Sequence, residues 1–166
     1  MKDKKSYLYW GSTWLPVFLC IVAIFCESTD ALGASHTTGP LRVLWEALFG
    51  RVPEARWNII HLYLRKSGHF IGYGIIGLCW LRAWWKTLPN SRFLLDALLA
   101  MAGTAFIASC DEFHQSLLPS RTGSPWDVLL DCCGALTLQL VVYLLARIFH
   151  PKQLEHAQQI LITGRR

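Results

Sequence analysis

The chain has 166 residues, 53% of them hydrophobic, and a mean hydropathy of +0.32. This composition is more apolar than that of an ordinary soluble domain of the same length. The formal net charge is +5, and we expect a single domain over residues 1–166 with no nucleic-acid partner.

Four segments carry little charge, at residues 7–26, 70–85, 93–110 and 132–146. A helix needs about 20 mostly apolar residues to cross the hydrocarbon core of a membrane. Each segment reaches that length with its flanking polar turn. The sequence therefore predicts an all-α integral membrane four-helix bundle, with helices at about 8–26, 67–86, 92–115 and 126–149.

The distribution of positive charge predicts how this bundle is oriented. Ten of the sixteen lysines and arginines lie in the N-terminal segment, between the second and third helices, or in the C-terminal tail. Because positive charge favours the cytoplasmic side, we expect both termini in the cytoplasm of a bacterium and the protein in its cytoplasmic membrane. The opposite ends of the helices then face outward.

Between the first and second helices lies a long segment of mixed polarity. Within "LRVLWEALFG" the apolar residues recur at helical spacing. The stretch "PEARWNIIHLYLRKSGHF" begins at Pro53 and predicts another amphipathic helix, which either ends before the second transmembrane helix or runs into it. We expect this segment to form an amphipathic helical loop that lies in the membrane interface. Gly68 and Gly72, spaced by four, predict a close helix contact at the start of the second helix.

Ionisable residues gather at three of the predicted helix ends, in "RKSGHFIGYG", "DEFHQ" and "PWDVLLD". A carboxylate in the hydrocarbon costs about 2.5–3.5 kcal/mol on insertion scales, and less near the surface. Because several such groups need partners, we expect one polar pocket at the outer membrane surface. Its predicted ligand-binding residues are Lys66, Tyr73, Asp111, Gln115, Arg121 and Asp131.

Two assignments stay open in this pocket. Asp111 and Glu112 are about 100° apart around a helix, so the sequence does not decide which of them faces inward. Asp127 is either part of the pocket or a cap of the fourth helix behind Pro125.

From about residue 10 to 148 the sequence resembles the VanZ-like family of bacterial membrane proteins. The resemblance rests on Lys66, "HFIGYG", "DEFHQ" and "LPSRTGSPWDVLLDCCG" in this order, and on the polar turn "FCESTDALGAS". It implies four transmembrane helices and no settled enzymatic activity. The founding member is associated with tolerance to teicoplanin-type glycopeptide antibiotics.

A shorter stretch resembles the type-2 phosphatidic acid phosphatases, which act on membrane lipids. Ser67-Gly68-His69 matches the first motif of that family, and Ser120 and Arg121 followed by Asp127 and Asp131 match the second. The resemblance implies that Arg121 grips phosphate. However, Asp127 stands where that family has its nucleophilic histidine, which argues against phosphohistidine chemistry.

Three functions remain in competition. The first is a cell-envelope protein whose pocket binds a polyprenyl phosphate or another lipid phosphate, or an amphiphilic glycopeptide. The second is a lipid phosphatase-like hydrolase, with His69, Glu112 and Asp127 as its catalytic residues. The third is an ion- or proton-coupled transporter that uses Asp111, Glu112, His114 and Asp131.

We expect membrane lipids as partners and no cofactor or metal site. The sequence has no H-E-x-x-H or C-x-x-C spacing, which argues against zinc. The carboxylates would nevertheless suit a hard divalent cation, and this remains the alternative.

Overall fold

The computed structural model describes residues 2–30, 33–88, 91–119 and 121–149. It contains five helices: α1 (Lys2–Glu27), α2 (Ala34–Phe49), α3 (Glu54–Thr87), α4 (Phe93–Ser116) and α5 (Pro125–Phe149). Within these ranges there is no β-strand. The predicted all-α class is confirmed.

The third helix is the centre of the molecule, because it contacts each of the other four. Two contacts define one end of the assembly. The Tyr9 hydroxyl donates to the carbonyl oxygen of Lys86 over 2.9 Å, and the rings of Phe93 and Tyr143 lie 5.1 Å apart. The opposite end, where α1 and α4 finish and α5 begins, holds the predicted polar residues. We call it the polar end.

Three helical segments are long and apolar enough to cross a membrane: Ser6–Glu27, Phe93–Ser116 and Pro125–Phe149. Their outward side chains are large and apolar, as for Phe18, Phe106 and Leu145, which are all exposed. Such surfaces are typical of lipid-facing helices. The length and apolar surface of these three helices therefore identify the chain as a membrane protein.

The central helix α3 falls outside this group of apolar segments. Its second half contains glycines, tryptophans, His69 and Arg82, and all of these residues are less apolar than aliphatic ones. Because α3 packs against protein on several sides, it needs less apolar surface than α1, α4 or α5. The predicted crossing at 67–86 stays a prediction.

The segment between the first and second predicted helices is largely helical. It contains α2 and the first part of α3, and α3 runs without a break from Glu54 to Thr87. The helix predicted at about 67–86 therefore begins further upstream, at Glu54, which is one of the two alternatives that the sequence left open, and no proline interrupts 54–87. The indole nitrogen of Trp57 donates to Thr38 Oγ1 over 2.7 Å and ties α2 to α3.

Small residues allow α3 and α5 to approach closely. A Cβ atom placed on Gly77 would lie 2.7 Å from the Cβ of Ala135, and one on Gly134 would collide with the carbonyl oxygen of Phe70. The predicted contact through Gly68 and Gly72 is wrong, since a Cβ on either meets nothing within 4 Å. The glycines that form the close contact are Gly74 and Gly77 of α3 and Gly134 of α5.

We expect Gly134→Ala to destabilise the protein by about 1–3 kcal/mol, because the new methyl group must displace the backbone of α3. Gly68→Ala is the matched control, since it adds the same methyl group in open space. Thermal unfolding in detergent, followed by circular dichroism, measures the difference. Equal melting temperatures for the two variants would contradict the close α3–α5 contact.

Candidate functional site

A small cavity of about 30 Å³ lies at the polar end, among α1, α3 and α4. It is wide enough for a water molecule or a small ion. Glu27 and Ser28 line it from α1, and Asp111 and Gln115 from α4. The side of α3 contributes His69 and Tyr73, together with the two glycines that leave the space open, Gly68 and Gly72.

Asp111 is held in place by two donors on one of its oxygens. The Tyr73 hydroxyl donates to Oδ2 over 3.0 Å, and the Gln115 amide donates to the same atom over 3.1 Å. The carboxylate is only 3% exposed, and its other oxygen, Oδ1, has no hydrogen-bond partner in the described part of the chain. Asp111 and Gln115 are one helical turn apart, so they meet on one face of α4.

The carboxylate of Glu112 is also oriented by a hydrogen bond to one of its two oxygens. Its Oε2 accepts a hydrogen bond from the backbone N–H of Ser124 over 2.7 Å, in the turn before α5. Its Oε1 has no partner, although the residue is 5% exposed. Both carboxylates of "DEFHQ" are therefore buried, because Asp111 faces α3 while Glu112 also contacts the turn that follows α4.

The third polar centre is a pair formed by His69 and Asp131. His69 Nδ1 lies 3.4 Å from Asp131 Oδ1, a distance that suits an ion pair better than a well-aligned hydrogen bond. Asp131 is completely buried. One ring nitrogen of His69 and one carboxylate oxygen from each of Asp111 and Glu112 lie within 4.8 Å of one another. We call His69, Asp111 and Glu112 the triad.

Arg121 joins α1 to this site. One terminal nitrogen, Nη2, donates to the carbonyl oxygens of Glu27 and Thr29 over 2.7 Å each. The other, Nη1, reaches Gln115 Oε1 over 3.4 Å. The carbonyl groups at the end of a helix lack partners within the helix, so the guanidinium completes the C-terminus of α1. These contacts engage both terminal nitrogens.

A second cation is also engaged. Lys66 forms an ion pair with Asp127, and both side chains are partly exposed. The carboxylate that the sequence offered as a nucleophile or as a helix cap is therefore paired with a lysine on α3. This pair joins the start of α5 to the central helix.

Comparison with known proteins identifies the family. The VanZ/LLP1 family model matches residues 13–149. The chain belongs to the VanZ/LLP1 family. No curated protein and no solved structure gave a significant match.

In this VanZ/LLP1 protein, the structure brings the predicted site residues to one end of the molecule. His69, Asp111 and Glu112 form the triad, Tyr73 and Gln115 hold Asp111, and Asp131 borders His69. Arg121 reaches the set through Gln115, while Lys66 and Asp127 bind each other. Their assigned roles as ligand-binding or catalytic residues stay predictions.

Several neighbours of the site were missed at the level of sequence. Ser28 Oγ lies 2.8 Å from His114 Nδ1 and links the end of α1 to α4. Arg65 also lies near the site. Burial lowers the pKa of its guanidinium, and the positive charge of Arg121 lowers it further. The negative charges of Asp127 and Glu112 raise it and oppose this shift. The polar composition of the turn after α1 could have drawn attention to Ser28. It could not show that this residue contacts α4.

The electrostatic character of the site follows from these pairings. Lys66 and Arg121 are engaged by Asp127 and by backbone carbonyls. Among the described residues, two buried donor nitrogens of the site have no hydrogen-bond partner, His69 Nδ1 and Arg121 Nε. Four buried carboxylate oxygens also have none: Asp111 Oδ1, Glu112 Oε1, Asp131 Oδ1 and Asp131 Oδ2. The interior of the site therefore has a surplus of acceptors, and it suits a group that brings hydrogen-bond donors or positive charge.

We expect Arg121→Ala to destabilise the fold by about 2–3 kcal/mol, because hydrogen bonds to charged groups are among the stronger ones and two carbonyl groups lose their partner. Arg56→Ala, which removes an exposed arginine from α3, is the control and should change the melting temperature little. If the two variants melt at the same temperature in detergent, Arg121 does not hold α1 in place.

Proposed function

We propose that this VanZ/LLP1 membrane protein binds the polar head of an amphiphilic ligand, a lipid phosphate or a glycopeptide-type molecule, in the cavity at its polar end. The observation that carries the proposal is the cavity itself, which is lined by the buried and incompletely paired carboxylate of Asp111. Buried polar groups without partners are rare in folded proteins and need an explanation. A ligand that supplies the missing donors provides one.

The size of the cavity limits how such a ligand enters. Pockets that enclose whole small molecules measure roughly 300–1,000 Å³, and this cavity is about tenfold smaller. It admits a single donor group, such as an ammonium or a sugar hydroxyl. The remainder of the head then lies outside, where Arg65 and the Lys66–Asp127 pair are partly exposed.

The surroundings of the cavity suit an amphiphile. Gly68 and Gly72 leave the side of α3 open, and Ile71 and Ile75 are exposed next to them along the same helix. An acyl or polyprenyl tail can therefore lie against α3 in the membrane while the head reaches Asp111. This arrangement favours a ligand that arrives through the lipid layer.

The orientation completes the proposal. With α3 crossing the membrane beside the three apolar segments, the number of crossings is even and both termini lie in the cytoplasm of the bacterium. The distribution of positive charge supports this topology. The polar end then faces outward, where lipid-linked cell-wall intermediates and glycopeptide antibiotics are met. A contribution to glycopeptide tolerance follows if the ligand is the antibiotic.

We expect Gly72→Leu to reduce ligand binding at least about tenfold, because a leucine side chain would fill the open cavity without a backbone collision. Gly11→Leu is the matched control, since Gly11 also has free space and lies at the opposite end. Native mass spectrometry of gently extracted protein measures retained lipid phosphates, and a titration with teicoplanin tests the other ligand class. Equal retention of every ligand by both variants would contradict binding in this cavity.

A hydrolase acting on a lipid phosphate is the second candidate, favoured by the contact of His69 with Asp131. A buried carboxylate that orients a histidine is a common arrangement in general acid–base catalysis. Glu112 or Asp127 would then act as base or nucleophile. The transport alternative stays a prediction.

If the protein is a hydrolase, His69→Ala should lower phosphate release from a polyprenyl or phosphatidyl phosphate by about 100-fold or more. The control is Asp96→Asn, which changes a buried carboxylate near the start of α4, far from His69 along the helix bundle. Phosphate release is followed colorimetrically with purified protein in mixed micelles. Unchanged release in His69→Ala would remove this candidate.

A further inference from the structure

The triad has the composition of a metal-binding site. We propose that His69, Asp111 and Glu112 bind a divalent transition-metal cation, Zn²⁺ or Mn²⁺. One ring nitrogen and two carboxylate oxygens lie within 4.8 Å of one another, which brings all three within reach of one ion after small side-chain movements. The residues come from two helices, α3 and α4, so the site forms only in the folded protein.

Each carboxylate of the triad keeps one oxygen free. Asp111 uses Oδ2 to accept from Tyr73 and Gln115, and its Oδ1 is unpaired. Glu112 uses Oε2 to accept from Ser124, and its Oε1 is unpaired. Both residues are more than nine-tenths buried, so bulk solvent has little access to the free oxygens. A cation between them would satisfy both oxygens.

The residues around the triad are those that orient metal ligands. In metal sites a ligating histidine usually donates its second ring nitrogen to a carboxylate, and ligating carboxylates accept further hydrogen bonds. Here Asp131 faces Nδ1 of His69, while Tyr73, Gln115 and the Ser124 backbone hold the two acids. The triad is thus surrounded by the kinds of partners that orient metal ligands.

The donor set determines the class of ion. Ca²⁺ and Mg²⁺ prefer sites made only of oxygen, whereas an imidazole favours a transition metal. In the described residues no cysteine belongs to this group, so a soft ion such as Cu⁺ is not favoured. With three protein ligands, coordination positions remain for water or for an oxygen of a ligand head beside the cavity that His69 and Asp111 line.

Only this last step, coordination of a ligand head by the ion, rests on the proposed function. Metal binding itself is measured on the protein without any ligand. A negative result for the metal leaves direct binding of a head group intact, and a negative result in the lipid and teicoplanin experiments leaves the metal site intact.

The experiment uses the full-length protein in detergent, purified with a tag that lacks histidine and stripped with a chelator. Zn²⁺ and Mn²⁺ are titrated, with Mg²⁺ and Ca²⁺ for comparison, and bound metal is counted by mass spectrometry. We expect one Zn²⁺ or Mn²⁺ per chain. Asp131→Asn should weaken binding about 10–100-fold, and Glu112→Gln at least as much.

Asp96→Asn is the matched control, because Asp96 is also a buried carboxylate but is held by Ser91 at the start of α4. It should bind metal as the unchanged protein does. Absence of stoichiometric metal, or equal binding by Glu112→Gln, would overturn the proposal. Should Glu112→Gln fail to fold, pulsed electron paramagnetic resonance of the Mn²⁺-loaded unchanged protein decides, because the proposal requires a coupling to a histidine nitrogen.

Discussion

The rest of this structure depends on one constraint: acidic side chains that are buried in an apolar helical protein must be held by neighbours. Asp111, Glu112 and Asp131 are all buried at the polar end, on two different helices. Their partners come from α3, from α4 and from the turn before α5. Because α4 supplies only one of these donors, Gln115, and the others come from α3 and from the turn before α5, the helices must meet at this end in one relative position.

Close packing of α3 on α5 makes that position available. Gly134 lies against the backbone of Phe70, and Gly77 lies against Ala135. Phe70 directly follows His69, and Gly134 is three residues after Asp131. The tightest contact between the helices is therefore next to the His69–Asp131 pair, so that small residues set the distance at which these two side chains face each other. Packing and site geometry are determined together.

The first helix has a different part in the arrangement, since it closes the site on one side. Its C-terminal carbonyl groups accept from Arg121, and Ser28 contacts His114 on α4. The cavity lies between α1 and the open flank of α3 at Gly68 and Gly72. Lys66 and Arg121 are thus engaged in holding the fold, while carboxylate oxygens inside lack hydrogen-bond partners among the described residues. This distribution of partners favours a cation or a hydrogen-bond donor as the occupant of the cavity.

The sequence by itself determined the all-α class and three of the four predicted apolar segments, and it placed the ionisable residues at the ends of predicted helices, since hydrophobicity and helical spacing are local properties. It left open whether α3 is one helix from Glu54 to Thr87, because an amphipathic start and an apolar continuation can belong to one helix or to two. Only the tertiary structure decided that Asp111 and Glu112 are both buried and which glycines touch α5. Those properties depend on the neighbours of each helix face, and spacing along one helix carries no information about neighbours.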